Sequence, residues 1–112
     1  MKRSLTKDER LRSKRSIKLV FVNGKVVRGR GMQLRHVANN LNHNRYLVVT
    51  ERKFGTAVQR NKARRVAKEL LRTSKPEQTQ GFDLALIVFR GDYTFSDRSR
   101  QFRVLLGKAG IL

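Results

Sequence analysis

The sequence has no cysteine and no tryptophan, a single proline (Pro76), and only 8 acidic residues among 112. Without cysteine there is no disulfide framework, no thiol nucleophile and no thiolate metal site. The carboxylates are dispersed as Asp8, Glu9, Glu51, Glu69, Glu77, Asp83, Asp92 and Asp97. No two share a metal-binding spacing on one element, which argues against hydrolysis by a protein-held metal. The two histidines, His36 and His43, flank a loop and form no evident acid–base pair. Long hydrophobic runs are missing too. The longest, Leu84 to Phe89, has six residues, against the about 20 a membrane-spanning helix needs, so no membrane partner is expected. The basic start Met1-Lys2-Arg3-Ser4 is followed by no apolar signal stretch, so a cytoplasmic location is expected rather than export.

What the sequence has in excess is positive charge. Lys and Arg number 27, giving a net charge of +19. Such a chain repels itself unless an anionic partner neutralises it, which points to a polyanion. The length allows one compact domain, residues 1–112, with 38% apolar residues to build a modest core. The cations are clustered. Residues 1–30 hold eleven, opposed only by Asp8 and Glu9, and residues 52–75 hold nine, opposed only by Glu69. Blocks of this kind mark a solvated or anion-facing surface. Residues 1–12 lack apolar periodicity and read as a basic arm, extended and able to flex. Arg28-Gly29-Arg30-Gly31 reads as a loop between strands, with a phosphate contact as the alternative.

Hydrophobic periodicity predicts the elements. Ser13 can cap a short helix that Gly24 ends, with Ile17, Val20 and Phe21 on one face. Val26-Val27 is a weak strand. Met32 to Val37 alternates, and Tyr46 to Thr50 is β-branched and aromatic, so both read as strands around the turn-forming Asn39–Asn44. A long helix is expected from Ala57 to Arg72, ended by Ser74, Lys75 and Pro76. Asp83 to Phe89 reads as a strand buried on both faces. A last helix from Ser96 to Lys108 carries a stripe of Phe102, Leu105, Leu106 and Ala109. The expected class is α/β (α+β), a two-layer sandwich in the order α-β-β-β-α-β-α.

The long helix carries the main signal. On a wheel with Arg60 as origin, Arg64 falls at about 40°, Lys68 at about 80°, Asn61 at about 100°, Arg72 at about 120° and Arg65 at about 140°. Ala63, Val66, Ala67 and Leu70 fall on the opposite side, with Leu71 at the seam. Like charges spaced i, i+4 cost a few tenths of a kcal/mol per pair, so their retention suggests a benefit elsewhere. Phosphate is the obvious counter-charge: arginine presents a planar fork of donors to its oxygens. Asn61 adds a donor and an acceptor suited to a sugar hydroxyl or base edge. A merely solvated basic face is the alternative.

Residues 53–72, KFGTAVQRNKARRVAKELLR, resemble the signature of the bacterial ribonuclease P protein subunit, roughly K-x-G-x-A-V-x-R-N-R-x-K-R-x-x-R-E. The match is ordered and gap-free. Val20, Phe21 and Gly24 fit the family's V-F-x-x-G ending of the first helix, and Asp83 to Arg90 its strand after the long helix. The resemblance implies a four-stranded mixed sheet, like that of some ribosomal proteins, with the basic helix in a left-handed βαβ crossover. It implies that the catalyst is an RNA, that Mg2+ serves the RNA-containing holoenzyme, and that the protein alone binds no cofactor. The implied partners are the catalytic RNA and the precursor tRNA, whose 5′ leader is removed; no small-molecule substrate is expected. Carried over residue by residue, Arg60, Asn61, Lys62, Arg64, Arg65 and Lys68, with Arg72, Arg52 and Lys53, become contacts to the RNA and nearby phosphates. A leader cleft falls to Ile17, Phe21 and Arg35. Ile17 and Arg35 stand where the family often has aromatics, so base stacking there gives ground to charge, and plain core packing is an equal reading of Ile17 and Phe21. Lys62 replaces the motif's usual Arg. No catalytic residue and no protein metal ligand is expected. Glu51 can touch an RNA-held hydrated magnesium, a local ion pair with Arg52 or Lys53 being the plainer reading. A basic structural ribosomal protein and a nucleoid-associated protein remain the alternatives.

Overall fold

A computed structural model describes residues 7–74 and 81–111. The expected helix stop at Lys75 and Pro76, and the first half of the expected arm, lie outside the described residues. The elements run as a 3-10 turn Lys7–Glu9, α1 Lys14–Asn23, β1 Lys25–Arg28, β2 Met32–Ala38, β3 Arg45–Thr50, α2 Ala57–Ser74, β4 Phe82–Val88 and α3 Phe95–Lys108. Apart from the 3-10 turn this is the expected order. The Ser13 side chain accepts from the Ser16 amide, and the Gly24 amide donates to the Val20 carbonyl, so α1 begins and ends as the sequence indicates. Gly24 does not end the helix through a left-handed conformation, since its φ is −68°. It is needed because a Cβ there would lie 2.2 Å from the Val20 carbonyl oxygen as the chain turns into β1. Arg28–Gly31 is the tight β1–β2 connection, with the Gly29 amide on the Met32 carbonyl and Gly31 at φ 76°. None of the described helices is long and apolar enough to cross a membrane.

The sheet order is β1-β2-β4-β3. β2 runs antiparallel to β1 and β4, while β3 and β4 are parallel, joined by α2. Strand alternation divides the interior in two. Met32, Leu34, Leu84, Leu86 and Val88 face α2 and α3, whose Ala67, Leu70, Leu71, Phe102, Leu105 and Leu106 close the main core. Ala85 and Ile87 point the other way, to a smaller cluster with Val20 and Leu11. So β4 is buried on both faces, as its unbroken apolar run requires. Covering that second face is the work of α1, which adds a short third layer to the expected two-layer sandwich.

Two further details position the site. Residues 7–12 are docked rather than extended away: Leu11 is 2% exposed, and its amide donates to the Tyr46 carbonyl at 2.8 Å. A single apolar residue between two arginines carries no periodicity, which is why the sequence reads as an arm. The Asn39–Asn44 loop is held by a buried carboxylate. Asp83 accepts from Arg45 Nε and Nη2, each at 2.8 Å, and from Asn39 Nδ2 at 2.9 Å. That hydrogen bond and the carboxylate's charge hold the Arg45 guanidinium above its ordinary pKa. His43 is half-buried, its Nε2 on the Asp8 carbonyl, so it ties the loop to the N-terminal segment.

Candidate nucleic-acid interface

The turn before α2 is tightly built. Thr56 and Gln59 cap the helix reciprocally: the Gln59 amide donates to Thr56 Oγ1 and the Thr56 amide to Gln59 Oε1. Phe54, 8% exposed, plugs the turn into the core. The Glu51 amide donates to the Val88 carbonyl. The Glu51 carboxylate accepts the Arg90 amide at 2.8 Å, so the expected ion pair with Arg52 or Lys53 is replaced by a backbone contact. Its distance along the chain, across the β3–β4 pairing, hid it from sequence reasoning. Arg52 and Lys53 are exposed at the tip.

Along α2 the burial follows the wheel, with one shift. Leu71, placed at the seam, is 1% exposed, because the main core reaches past the seam toward β3. Asn61, Lys62, Arg65 and Lys68 are exposed, and Arg60, Arg64 and Arg72 half-exposed. The structure gives these groups different surroundings. Arg60 turns back on the turn, its Nε donating to the Gly55 carbonyl at 3.2 Å and its Nη2 to the Arg52 carbonyl. Arg64 donates to Asn61 Oδ1 at 3.0 Å. Arg72 grips Glu69 with two nitrogens, Nε at 3.0 Å from Oε2 and Nη2 on Oε1. That hydrogen bond lowers the Glu69 pKa and raises that of Arg72. Arg72 is therefore already engaged with the helix's one acid, a pairing that the scarcity of acids on α2 makes easy to discount. Arg65 and Lys68 carry no ion pair among the described residues. Lys62 lines a hollow toward Phe95 of α3, which Arg65 lines too.

The three cleft residues come together on the opposite face of the sheet. The Arg35 guanidinium lies over the Phe21 ring, 5.3 Å from its centroid. Its Nη1 donates to the Phe21 carbonyl at 3.1 Å and its Nε to Gln33 Oε1 at 3.1 Å. Ile17 and Phe21 are half-buried against the smaller cluster, with Val37, Leu47 and Val49 beside them. They thus pack and remain partly open at once.

Sequence reasoning missed Arg10 and Arg12. With Tyr46, Leu47 and Val48 they line a groove of about 470 Å³ against α2. The signal was the Arg-Leu-Arg triplet, whose middle residue had to be seen as an anchor. Among the described residues no three His, Asp or Glu come together as a metal site.

Comparison with known proteins agrees over almost the whole length. Residues 5–110 match the family model described as Ribonuclease P. The chain is 37% identical to the ribonuclease P protein component of Thermotoga maritima over 87 residues, covering 78% of this chain and 74% of that protein. It is 29% identical to that of Syntrophomonas wolfei, covering 96% and 92%. The solved RNase P protein of Thermotoga maritima superposes with a TM-score of 0.77 at 30% identity, covering 89% of this chain and 96% of that one. A Staphylococcus aureus RNase P protein mutant superposes at 0.84 with 22% identity, covering 95% and 92%, a likeness of fold.

Proposed function

Because the chain belongs to the bacterial ribonuclease P protein family, we propose that it is the subunit that binds the catalytic RNA and the single-stranded 5′ leader of precursor tRNA. In this reading the RNA cuts, using magnesium it holds itself, and the protein secures substrate and RNA fold in the cytoplasm. The observation that carries the reading is the outer face of α2, where the exposed Arg65 and Lys68 have no ion pair among the described residues and stand beside Asn61 and Arg64. Phosphate oxygens supply what this face lacks, and charge-assisted bonds to them are the strong kind. Arg52 and Lys53 extend the cationic surface at the turn.

The leader takes the cleft of Ile17, Phe21 and Arg35. Its bases meet an arginine guanidinium held over a phenylalanine ring, and guanidinium planes stack bases as aromatic rings do. Three of the carboxylates already serve the protein's own structure: Glu51 accepts a backbone amide, Glu69 is held by Arg72 and Asp83 by Arg45 and Asn39. Family membership sets aside the ribosomal and nucleoid alternatives.

The test is reconstitution. The chain together with the catalytic RNA should release the 5′ leader from precursor tRNA at low magnesium, and the chain freed of RNA should not. Robust cleavage by RNA-free protein would overturn the assignment of catalysis to RNA.

A further inference from the structure

The docked N-terminal segment gives α2 a facing wall. Resting on the RNA-binding reading above, we propose that the groove between residues 10–12 and α2 holds one single-stranded stretch of RNA. Its phosphates lie between Arg10 and Arg12 on one side and Arg64, Arg65 and Lys68 on the other.

The groove exists because β3 is an edge strand that is only begun to be paired. Residues 7–12 meet it at one rung, the bridge of Arg10 with Tyr46, and the chain then leaves into the Ser13 cap of α1. Past that rung, Val48 is the next residue whose peptide faces the open edge, and its amide has no partner among the described residues. An open edge normally invites another strand. Here arginines and a lysine flank it, and a free amide beside guanidinium groups suits phosphate oxygens, which only accept.

Charge points the same way. Among the described residues the one carboxylate lining the groove is Glu69, and both its oxygens are taken by Arg72. The side chains of Arg10, Arg12, Arg65 and Lys68 have no carboxylate within salt-bridge distance among the described residues. Like-charged walls facing each other repel, and Leu11 holds one of them in place at 2% exposure. A single strand laid along the groove lets both walls reach the same phosphates. A duplex carries its phosphates on the outside of a broad cylinder and would rest on the rim, meeting one wall at a time.

The absence of cysteine makes a direct test available. Arg12→Cys and Lys68→Cys, each carrying a tethered iron chelate, are assembled with the catalytic RNA and the radical cleavages mapped. The proposal expects both probes to cut the same short stretch of one strand. Separate stretches, or paired cuts offset across two strands, would overturn it. In a second arm, Arg10→Ala/Arg12→Ala should make log K against log salt shallower by roughly 1.4, at about 0.7 per single-strand phosphate neutralised. Arg103→Ala on α3 should leave the slope unchanged, and thermal melting checks that Leu11 stays docked. A double variant indistinguishable from Arg103→Ala overturns the groove while the RNA-binding reading stands. Wild-type protein that fails to bind the catalytic RNA overturns that reading itself.

Discussion

On the face of the sheet covered by α2 and α3, Met32, Leu34, Leu84, Leu86 and Val88 meet Leu70, Leu71, Phe102, Leu105 and Leu106, none more than 3% exposed. On the face covered by α1, the buried apolar residues among those described are Leu11, Val20, Ala85 and Ile87, while Ile17, Phe21, Val37, Leu47 and Val49 remain partly open. The first face is sealed by apolar packing. The second is held by fewer apolar groups and by hydrogen bonds, those of Asp83 with Arg45 and Asn39 and those of Arg35 with Phe21 and Gln33. Stability concentrates on the sealed face, which leaves the thinner one free to keep half-buried side chains within reach of a ligand. Such partial burial is costly only where nothing else holds the layer together.

The largest expected effect tests the sealed face. Leu70→Ala should lower stability by about 2–5 kcal/mol in chemical denaturation, and Ile17→Ala on the open face by less than half as much. Equal losses would erase the contrast. Next, Asp83→Asn should cost roughly 1–3 kcal/mol, since it strips the charge from a buried acceptor and leaves Arg45 without its partner. A loss near zero would mean the open face does not depend on this network. Smaller again, Phe21→Ala should weaken leader binding by roughly 1 kcal/mol, the low end for a base on an aromatic ring, because Arg35 already covers one face. A much larger loss without loss of stability would show that the ring stacks a base by itself.

The smallest effect is a pH dependence. His36 is 6% exposed, edge-on to Phe82, and burial, with Lys25 nearby, pushes its pKa below the ordinary 6.5. Below that value the unfolded chain binds the proton more readily, so stability falls as pH drops through about 6.5 toward the folded value. His36→Leu should flatten the profile between pH 7 and 5. An unchanged profile would place the acid sensitivity elsewhere.

Much of this was legible in the sequence, for a physical reason. Helix caps, strand alternation and a charge-divided wheel are local, and Ser13, Met32 to Val37 and residues 57–72 each carry their signal within a few positions. What was not legible depends on distant partners. Leu11 looks like a lone apolar residue until Tyr46 lies beside it. Arg60, Arg64 and Arg65 look alike in the chain, yet one holds the preceding turn, one binds Asn61 and one is exposed with no ion pair among the described residues. Arg72 resembles them too, and it is engaged with Glu69. Sequence shows which face of α2 is cationic; the surroundings of each group show which cations are available.

RNA binding by α2 rests on that availability, and one measurement addresses it. Equilibrium binding of the catalytic RNA is followed across a salt series for wild type and for Arg65→Ala/Lys68→Ala. Removing two phosphate-neutralising cations should make the slope shallower by about 1.4–1.8 and weaken binding at low salt. Identical slopes and affinities would mean that α2 turns its charge to water alone.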